Sequence, residues 1–209
     1  DRFDGVTVMF ADIVGFTELA ASMSADSLVE LLNELFTEFD LTAQEMGIEK
    51  IKTVGDAYMA VCGLPELCEN HAERTMNMAL RLMRIAGEFR TSAGIPVRLR
   101  IGINTGPVVA GVIGRNKFIY DLWGDTVNTA ARMAGLAKAG QIITTADSVA
   151  ALPALLQQST REIDALSVKG KAEDVRVCEV LWQESDDLTM KSASVVAAPV
   201  AARLTVRHG

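Results

Sequence analysis

Lys50-Ile51-Lys52-Thr53-Val54-Gly55-Asp56-Ala57-Tyr58 is the stretch on which the reading of this chain turns. Ile48–Thr53 and Ala57–Cys62 carry the alternation of two β-strands, and Val54-Gly55-Asp56 between them has the composition of a tight turn. The hairpin therefore presents one carboxylate, Asp56, at its tip. A second stretch, Phe10-Ala11-Asp12-Ile13-Val14-Gly15-Phe16-Thr17, ends the β-branched, apolar run Val6–Ala11 with another. Taken alone, Asp12 ends a strand and caps the following helix, and Asp56 completes a Gly-Asp turn. Taken together, two Asp residues at the ends of adjacent strands can meet at one point. That is how a protein holds a pair of divalent cations against a triphosphate.

Outward from the hairpin, helical periods alternate with β-like runs. A short helix is predicted over Phe16–Met23. Ser24 then caps a longer one with Leu28, Leu31, Leu32, Leu35, Phe36 and Phe39 inward and Glu30, Asn33, Glu34, Thr37 and Glu38 outward. A second long helix is predicted over Cys68–Arg90. Val97–Asn104 and Pro107–Ile113 read as two strands split by Thr105-Gly106, and Phe118–Leu122 as a shorter one. A helix follows over Asp125–Ala137, and Ile142–Thr144 and Val175–Leu181 complete the β content. This order, with two hairpins, predicts an α+β sandwich of ferredoxin-like ancestry: one mainly antiparallel sheet with helices against it.

Composition limits the function. The 209 residues suit one α/β domain plus a tail, residues 1–183 and 184–209. Lys191–Ala202 has the Ser/Ala/Val/Pro character of a linker, and Arg203–Arg207 alternates like the first strand of a further β-rich domain. The chain opens at Asp1 rather than Met, as an excised piece of a longer protein does. Its formal charge of −7 argues against a nucleic-acid binder, though not against a single nucleotide bridged by cations. No apolar run is long enough to span a bilayer, so no membrane contact by this segment is expected. Cys62, Cys68 and Cys178 form no CxxC pair, which fits a cytoplasmic setting. Cys62, Cys68 and His71 match no zinc spacing, and the cysteines read as small buried core residues.

A third stretch, Tyr120-Asp121-Leu122-Trp123-Gly124-Asp125-Thr126-Val127-Asn128, with Arg132 one turn on, supplies what two carboxylates lack. Asp121 lies between Tyr120 and Leu122, where a charge needs a partner or a ligand. Lys52 is a candidate for that partner, although Lys50 and Lys52 share a face by simple alternation and have the look of solvated strand residues. A Lys–Asp pair offers a donor and an acceptor, matching the ring nitrogen and amino group of adenine. Guanine presents the reverse and favours Glu with a small or thiol side chain. Asn128 and Arg132, four apart, project from one helix face, where an amide can orient a ribose and a guanidinium can neutralise charge on phosphorus. Lys169, in Ser167-Val168-Lys169-Gly170-Lys171, can meet terminal phosphates as a point charge.

FADIVGFT, KIKTVGDAYMAV, GPVVAGVIG with YDLWGDTVNTAARM, and VKGK occur in order, and over roughly Phe3–Trp182 the chain resembles a class III nucleotide cyclase catalytic domain. The resemblance implies that Asp12 and Asp56, with the Ile13 carbonyl, ligate two Mg²⁺ or Mn²⁺ ions. It implies that Lys52 and Asp121, with Leu122 beside them, read adenine. Asn128 then orients the ribose, Arg132 stabilises the transition state, and Lys169 and the helix start at Phe16 and Thr17 meet phosphate. In the family the metal carboxylates come from one chain and the base, ribose and arginine contacts from its partner. A chain with both sets implies a head-to-tail homodimer acting on ATP. Two positions depart from the pattern: Ala172 stands where a second Gly often follows, and Asn116 where some relatives carry a phosphate-touching arginine. The competing readings are a guanylate cyclase and a cyclase-like module that binds nucleotide without turnover.

Overall fold

The computed structural model describes residues 1–91, 94–114, 119–166 and 174–182. Lys169, Asn116, Ala172 and the predicted tail lie outside the described residues. The strands are β1 (Arg2–Ile13), β2 (Glu49–Val54), β3 (Ala57–Cys62), β4 (Leu99–Ile113), β5 (Ile119–Trp123), β6 (Ile142–Thr145), β7 (Thr160–Leu166) and β8 (Val175–Val180). The helices are α1 (Phe16–Ala21), α2 (Ala25–Glu45), α3 (His71–Glu88), α4 (Asp125–Leu136), α5 (Ala146–Ala150) and α6 (Ala154–Gln158). The described strands form one sheet in the order β2-β3-β1-β4-β6-β8-β7, with β5 paired to β4 off that path. Every pairing is antiparallel except β4 with β6. The α+β architecture is the one the sequence predicts.

Period-two alternation divides β1 cleanly. Met9, Ala11 and Ile13 join Tyr58, Ala60, Leu99 and Ile101 in the large core under α2 and α3. Val6 and Val8 join Met59, Val61, Val108 and Ala130 in a smaller core on the opposite face, where α4 packs. Asp12, in step with Val6 and Val8, belongs to the α4 face. On the other face, α2 is tied to the hairpin by polar contacts. The buried Tyr58 hydroxyl donates to Asp40 Oδ1 at 2.8 Å, and Lys50 Nζ donates to Asp40 Oδ2 at 2.6 Å. Burial, then the Asp40 hydrogen bond and charge, drive the Tyr58 phenol well above its ordinary pKa, so it stays a donor.

The approach of α4 to β4 depends on Gly102. A Cβ there would lie 2.0 Å from Ala134 N and 2.4 Å from Ala130 O, both backbone atoms that cannot swing aside. Gly102→Ala is therefore expected to cost about 3 kcal/mol, the upper part of the overpacking range, because α4 must lift from the sheet. Denaturant unfolding at unchanged m-value measures it.

Three expectations need correction. Thr105-Gly106 does not split β4: both residues stay in register with β1, opposite Thr7 and Val6. The strand β7 and the one-turn helices α5 and α6 are additional elements, α5 being started by Thr145, whose side chain accepts from Ser148 N. Lys50 and Lys52 do not share a face. The β2–β3 register shifts between them, so that Lys50 opposes Ala60 and Lys52 opposes Met59. A β-bulge adds one residue to β2, turning Lys50 to the α2 side and Lys52 to the α4 side.

Candidate active site

Asp12 ends β1 opposite Ala57, the residue after Asp56, so the β1–β3 ladder itself brings the two carboxylates together. Gly55, at φ 63, supplies the left-handed turn that sets Asp56 at the tip. The Asp56 carboxyl is raised above its ordinary pKa. Burial is the largest cause, and the neighbouring Asp12 adds to it; the backbone hydrogen bond of Asp56 and the Arg100 charge pull the other way. A carboxylate whose charge is disfavoured beside a second one fits a cation between them.

Among the described residues no cluster of three or more His, Cys, Asp or Glu side chains could hold a metal alone. The donor set thus fits a hard divalent ion that takes its remaining oxygens from a backbone carbonyl, water and substrate phosphate. Ile13, whose carbonyl was expected to join, directly follows Asp12. Phe16 and Thr17 open the six-residue α1 after Gly15, placing a helix start beside the carboxylates.

Arg100 was not anticipated. It sits directly across the β1–β4 ladder from Asp12, and its Nε donates to Asp12 Oδ2 at 2.6 Å, with Nη2 on the same oxygen. An arginine between Leu99 and Ile101 reads as the solvated member of an alternating strand. Its significance follows only from the register that faces it to Asp12.

Lys52 and Asp121 do meet. Lys52 Nζ donates to Asp121 Oδ2, and Leu122 N donates to Asp121 Oδ1 at 2.8 Å, so both carboxylate oxygens have a fixed direction. Asp121 is the more sheltered, its side chain 18% exposed against 36% for Lys52. Leu122 is buried against Val108 and Ala110. Asn128 and Arg132 lie on the exposed side of α4 while Thr126, Thr129, Ala130 and Met133 face inward. Thr126 Oγ1 donates to Pro107 O at 2.6 Å and pins the helix start to β4.

All these groups are carried on the side of the sheet that α2 and α3 leave free. Asp12, Asp56 and Arg100 form one group and Lys52 with Asp121 another, while Asn128 and Arg132 stand apart on α4. Among the described residues no hydrogen bond or ion pair joins Asp12, Asp56 or Arg100 to Lys52 or Asp121, or either group to the side chains of Asn128 and Arg132.

The raised Asp56 pKa has a measurable consequence. A carboxyl held above its unfolded pKa favours the folded state most when protonated; stability falls as pH rises through the raised value, and an ionised Asp56 is a burden on the fold. Asp56→Asn is expected to raise Tm without divalent cation. Millimolar Mg²⁺ or Mn²⁺ should raise Tm of the parent and leave that of the variant nearly unchanged. Thermal denaturation at pH 7 reads both; a lower Tm for the variant would make the carboxylate structural.

Comparison with known proteins agrees with this fold. Residues 1–180 match the family model for the adenylate and guanylate cyclase catalytic domain. The chain is 46% identical over 142 residues to an adenylate cyclase of Mycobacterium tuberculosis, a match covering 68% of this chain and 32% of that protein. It is also 46% identical over 149 residues to a membrane guanylyl cyclase of Dictyostelium discoideum, covering 71% of this chain and 10% of that protein. The matches thus span a third or less of these relatives' own length. Among solved structures, the catalytic core of a rhodopsin-guanylyl cyclase with converted specificity, in complex with ATPαS, superposes with a TM-score of 0.82 at 38% identity, covering 88% of this chain and 98% of that one. No helix among the described residues is long and apolar enough to cross a membrane. With its fold, its paired carboxylates and a family match running almost from end to end of the described residues, the chain belongs to the adenylate and guanylate cyclase catalytic domain family.

Proposed function

We propose that residues 1–183 form an adenylate cyclase catalytic domain, converting ATP to 3′,5′-cyclic AMP and pyrophosphate, with 184–209 as a following linker. The observation that carries ATP over GTP is the Lys52–Asp121 pair. A lysine ammonium only donates and an aspartate only accepts, so together they complement adenine N1 and its 6-amino group. Guanine carries a ring N–H and a carbonyl there, opposing donor to donor and acceptor to acceptor.

Asp12, Asp56 and the Ile13 carbonyl would hold two Mg²⁺ or Mn²⁺ ions. When bound, such ions lower the pKa of the ribose 3′-hydroxyl and offset the triphosphate charge. The chain's own groups do the rest. Asn128 orients the ribose so that the 3′-oxygen lies in line with the α-phosphorus. Arg132 neutralises charge growing on the transferred phosphoryl group. Arg100, already at the carboxylates, has the fork geometry that suits terminal phosphate oxygens. Lys169 and the α1 start at Phe16 and Thr17 add to that phosphate contact.

One chain carries both the metal carboxylates and the base, ribose and arginine groups, which fits a head-to-tail homodimer with two equivalent sites. A partner surface is at hand: the β4–β5 hairpin exposes Val109, Val112, Ile113, Tyr120 and Trp123, a group of apolar side chains suited to an interface. ATP as substrate and three unpaired cysteines fit a cytoplasmic setting. The test is product analysis of the purified chain with ATP and Mn²⁺ or Mg²⁺ across a concentration series. Cyclic AMP and pyrophosphate in equal amounts, with specific activity climbing as chains pair, is the expected result. Nucleotide binding without product at any concentration would favour a non-catalytic module.

A further inference from the structure

Cys62 and Cys68 bracket the loop from β3 to α3, and neither takes part in the chemistry above. Cys62 ends β3 with no exposure and sits in the core beneath α3. Cys68, expected to be buried, is half-exposed. The two thiols are close enough for Cys68 to act on the titration of Cys62, and the same Arg74 acts on both. Arg74, one turn into α3, lays its guanidinium on the outer of them, Nη1 donating to Cys68 Sγ at 3.4 Å, while the Cys68 thiol donates to Asn70 Oδ1 at 2.9 Å. A solvent-reached sulfur with a fixed cation against it, backed by a second thiol, is the arrangement of a peroxide-sensitive cysteine with its resolving partner.

We infer that Cys68 and Cys62 form a thiol redox pair, in which a peroxide oxidises Cys68 to a sulfenic acid and Cys62 then closes an intramolecular disulfide. In the first step the Cys68 sulfur attacks one peroxide oxygen. The O–O bond breaks, an S–O bond forms, and the second oxygen leaves as water when the oxidant is hydrogen peroxide. The sulfur gives up two electrons and the peroxide takes them. In the second step the Cys62 sulfur attacks the Cys68 sulfur. The S–O bond breaks, the S–S bond forms, and the hydroxide departs with the Cys62 proton as water.

The surroundings order these steps. Burial, and after it the neighbouring Cys68, push Cys62 up to about 12, while Arg74 acts in the opposite direction. Cys62 therefore stays a thiol while Cys68 is reduced. Oxidation of Cys68 removes that influence, and Arg74 can then favour the Cys62 thiolate. Cys178, buried on β8 beside neither of them, is an internal control.

Hydrogen peroxide treatment of the full chain, followed by alkylation and peptide mapping, tests this directly. Both cysteines fall on one tryptic peptide, residues 53–74. That peptide should be unalkylated and lighter by two hydrogens, should return to the alkylated form after dithiothreitol, and should do so while Cys178 remains alkylated. Cys62→Ala should instead leave a Cys68 sulfenic acid that dimedone captures. Arg74→Gln should slow Cys68 oxidation severalfold, with circular dichroism confirming the fold. Recovery of both cysteines alkylated after peroxide, or disulfides only through Cys178 or between chains, would overturn the inference. Peptide mapping of the unmodified chain is decisive by itself, so the test does not depend on any variant folding.

Discussion

Replacing Lys52 by Glu together with Asp121 by Cys is expected to reverse the nucleotide preference from ATP to GTP. Lys52 Nζ and Asp121 Oδ2 are hydrogen-bonded to each other, and Asp121 is further held by Leu122 N. A purine edge that enters between them must replace the bond each loses. Adenine does so with matching donor and acceptor; guanine leaves both groups facing their own kind. Sites built on such hydrogen bonds reject the mismatched partner by large factors, so the double variant should lose roughly 10²-fold or more in kcat/KM for ATP. Activity with GTP should appear, since Glu accepts from the guanine ring N–H and the smaller Cys removes a repelling carboxylate. Steady-state kinetics with each nucleotide gives both numbers. Loss of ATP turnover in the double variant without any change in GTP turnover would confine the pair to structure.

Arg132→Ala is expected to lower turnover about 10²–10³-fold while nucleotide binding changes little, because a preorganised charge near the reacting phosphorus acts in the transition state. Asp12→Ala should abolish product formation by removing half of the cation's carboxylate pair. The two lesions fall on different sets. In a head-to-tail dimer, mixing the inactive variants rebuilds one intact site in each mixed dimer. With random pairing, half the dimers are mixed and carry one good site of two. Recovered activity should approach about a quarter of the parent's at equal total protein. Mixing that restores nothing, with exchange of chains confirmed by labelled subunits, would place a complete site within one chain.

The fold was largely legible because its signals are local. Ser24 is where it was expected, capping α2 from Ser27 N at 3.2 Å, and the buried face of α2 holds Leu31, Leu35 and Phe39 as the period requires. The meeting of Asp12 and Asp56 was also readable, since each stands at the end of an adjacent strand. What escaped the sequence depends on pairing between distant segments. The bulge beside Ile51 is invisible in β2 alone, yet it alone turns Lys52 toward Asp121. Arg100 resembles any solvated strand residue until β1 and β4 are in register. The continuity of β4 through Thr105-Gly106 depends on partners in β1, which outweigh the local turn propensity of Thr-Gly. The exposure of Cys68 reflects where the β3–α3 loop runs, and a small apolar residue type does not encode that.

Competition in a single vessel tests the central claim most directly: the purified chain at high concentration, equal ATP and GTP, Mn²⁺ or Mg²⁺ present, and both cyclic products quantified together. Cyclic AMP should dominate the product, because only adenine satisfies Lys52 and Asp121 at once. Cyclic GMP as the main product would contradict the account, since the same pair would then be selecting the base whose edge opposes it.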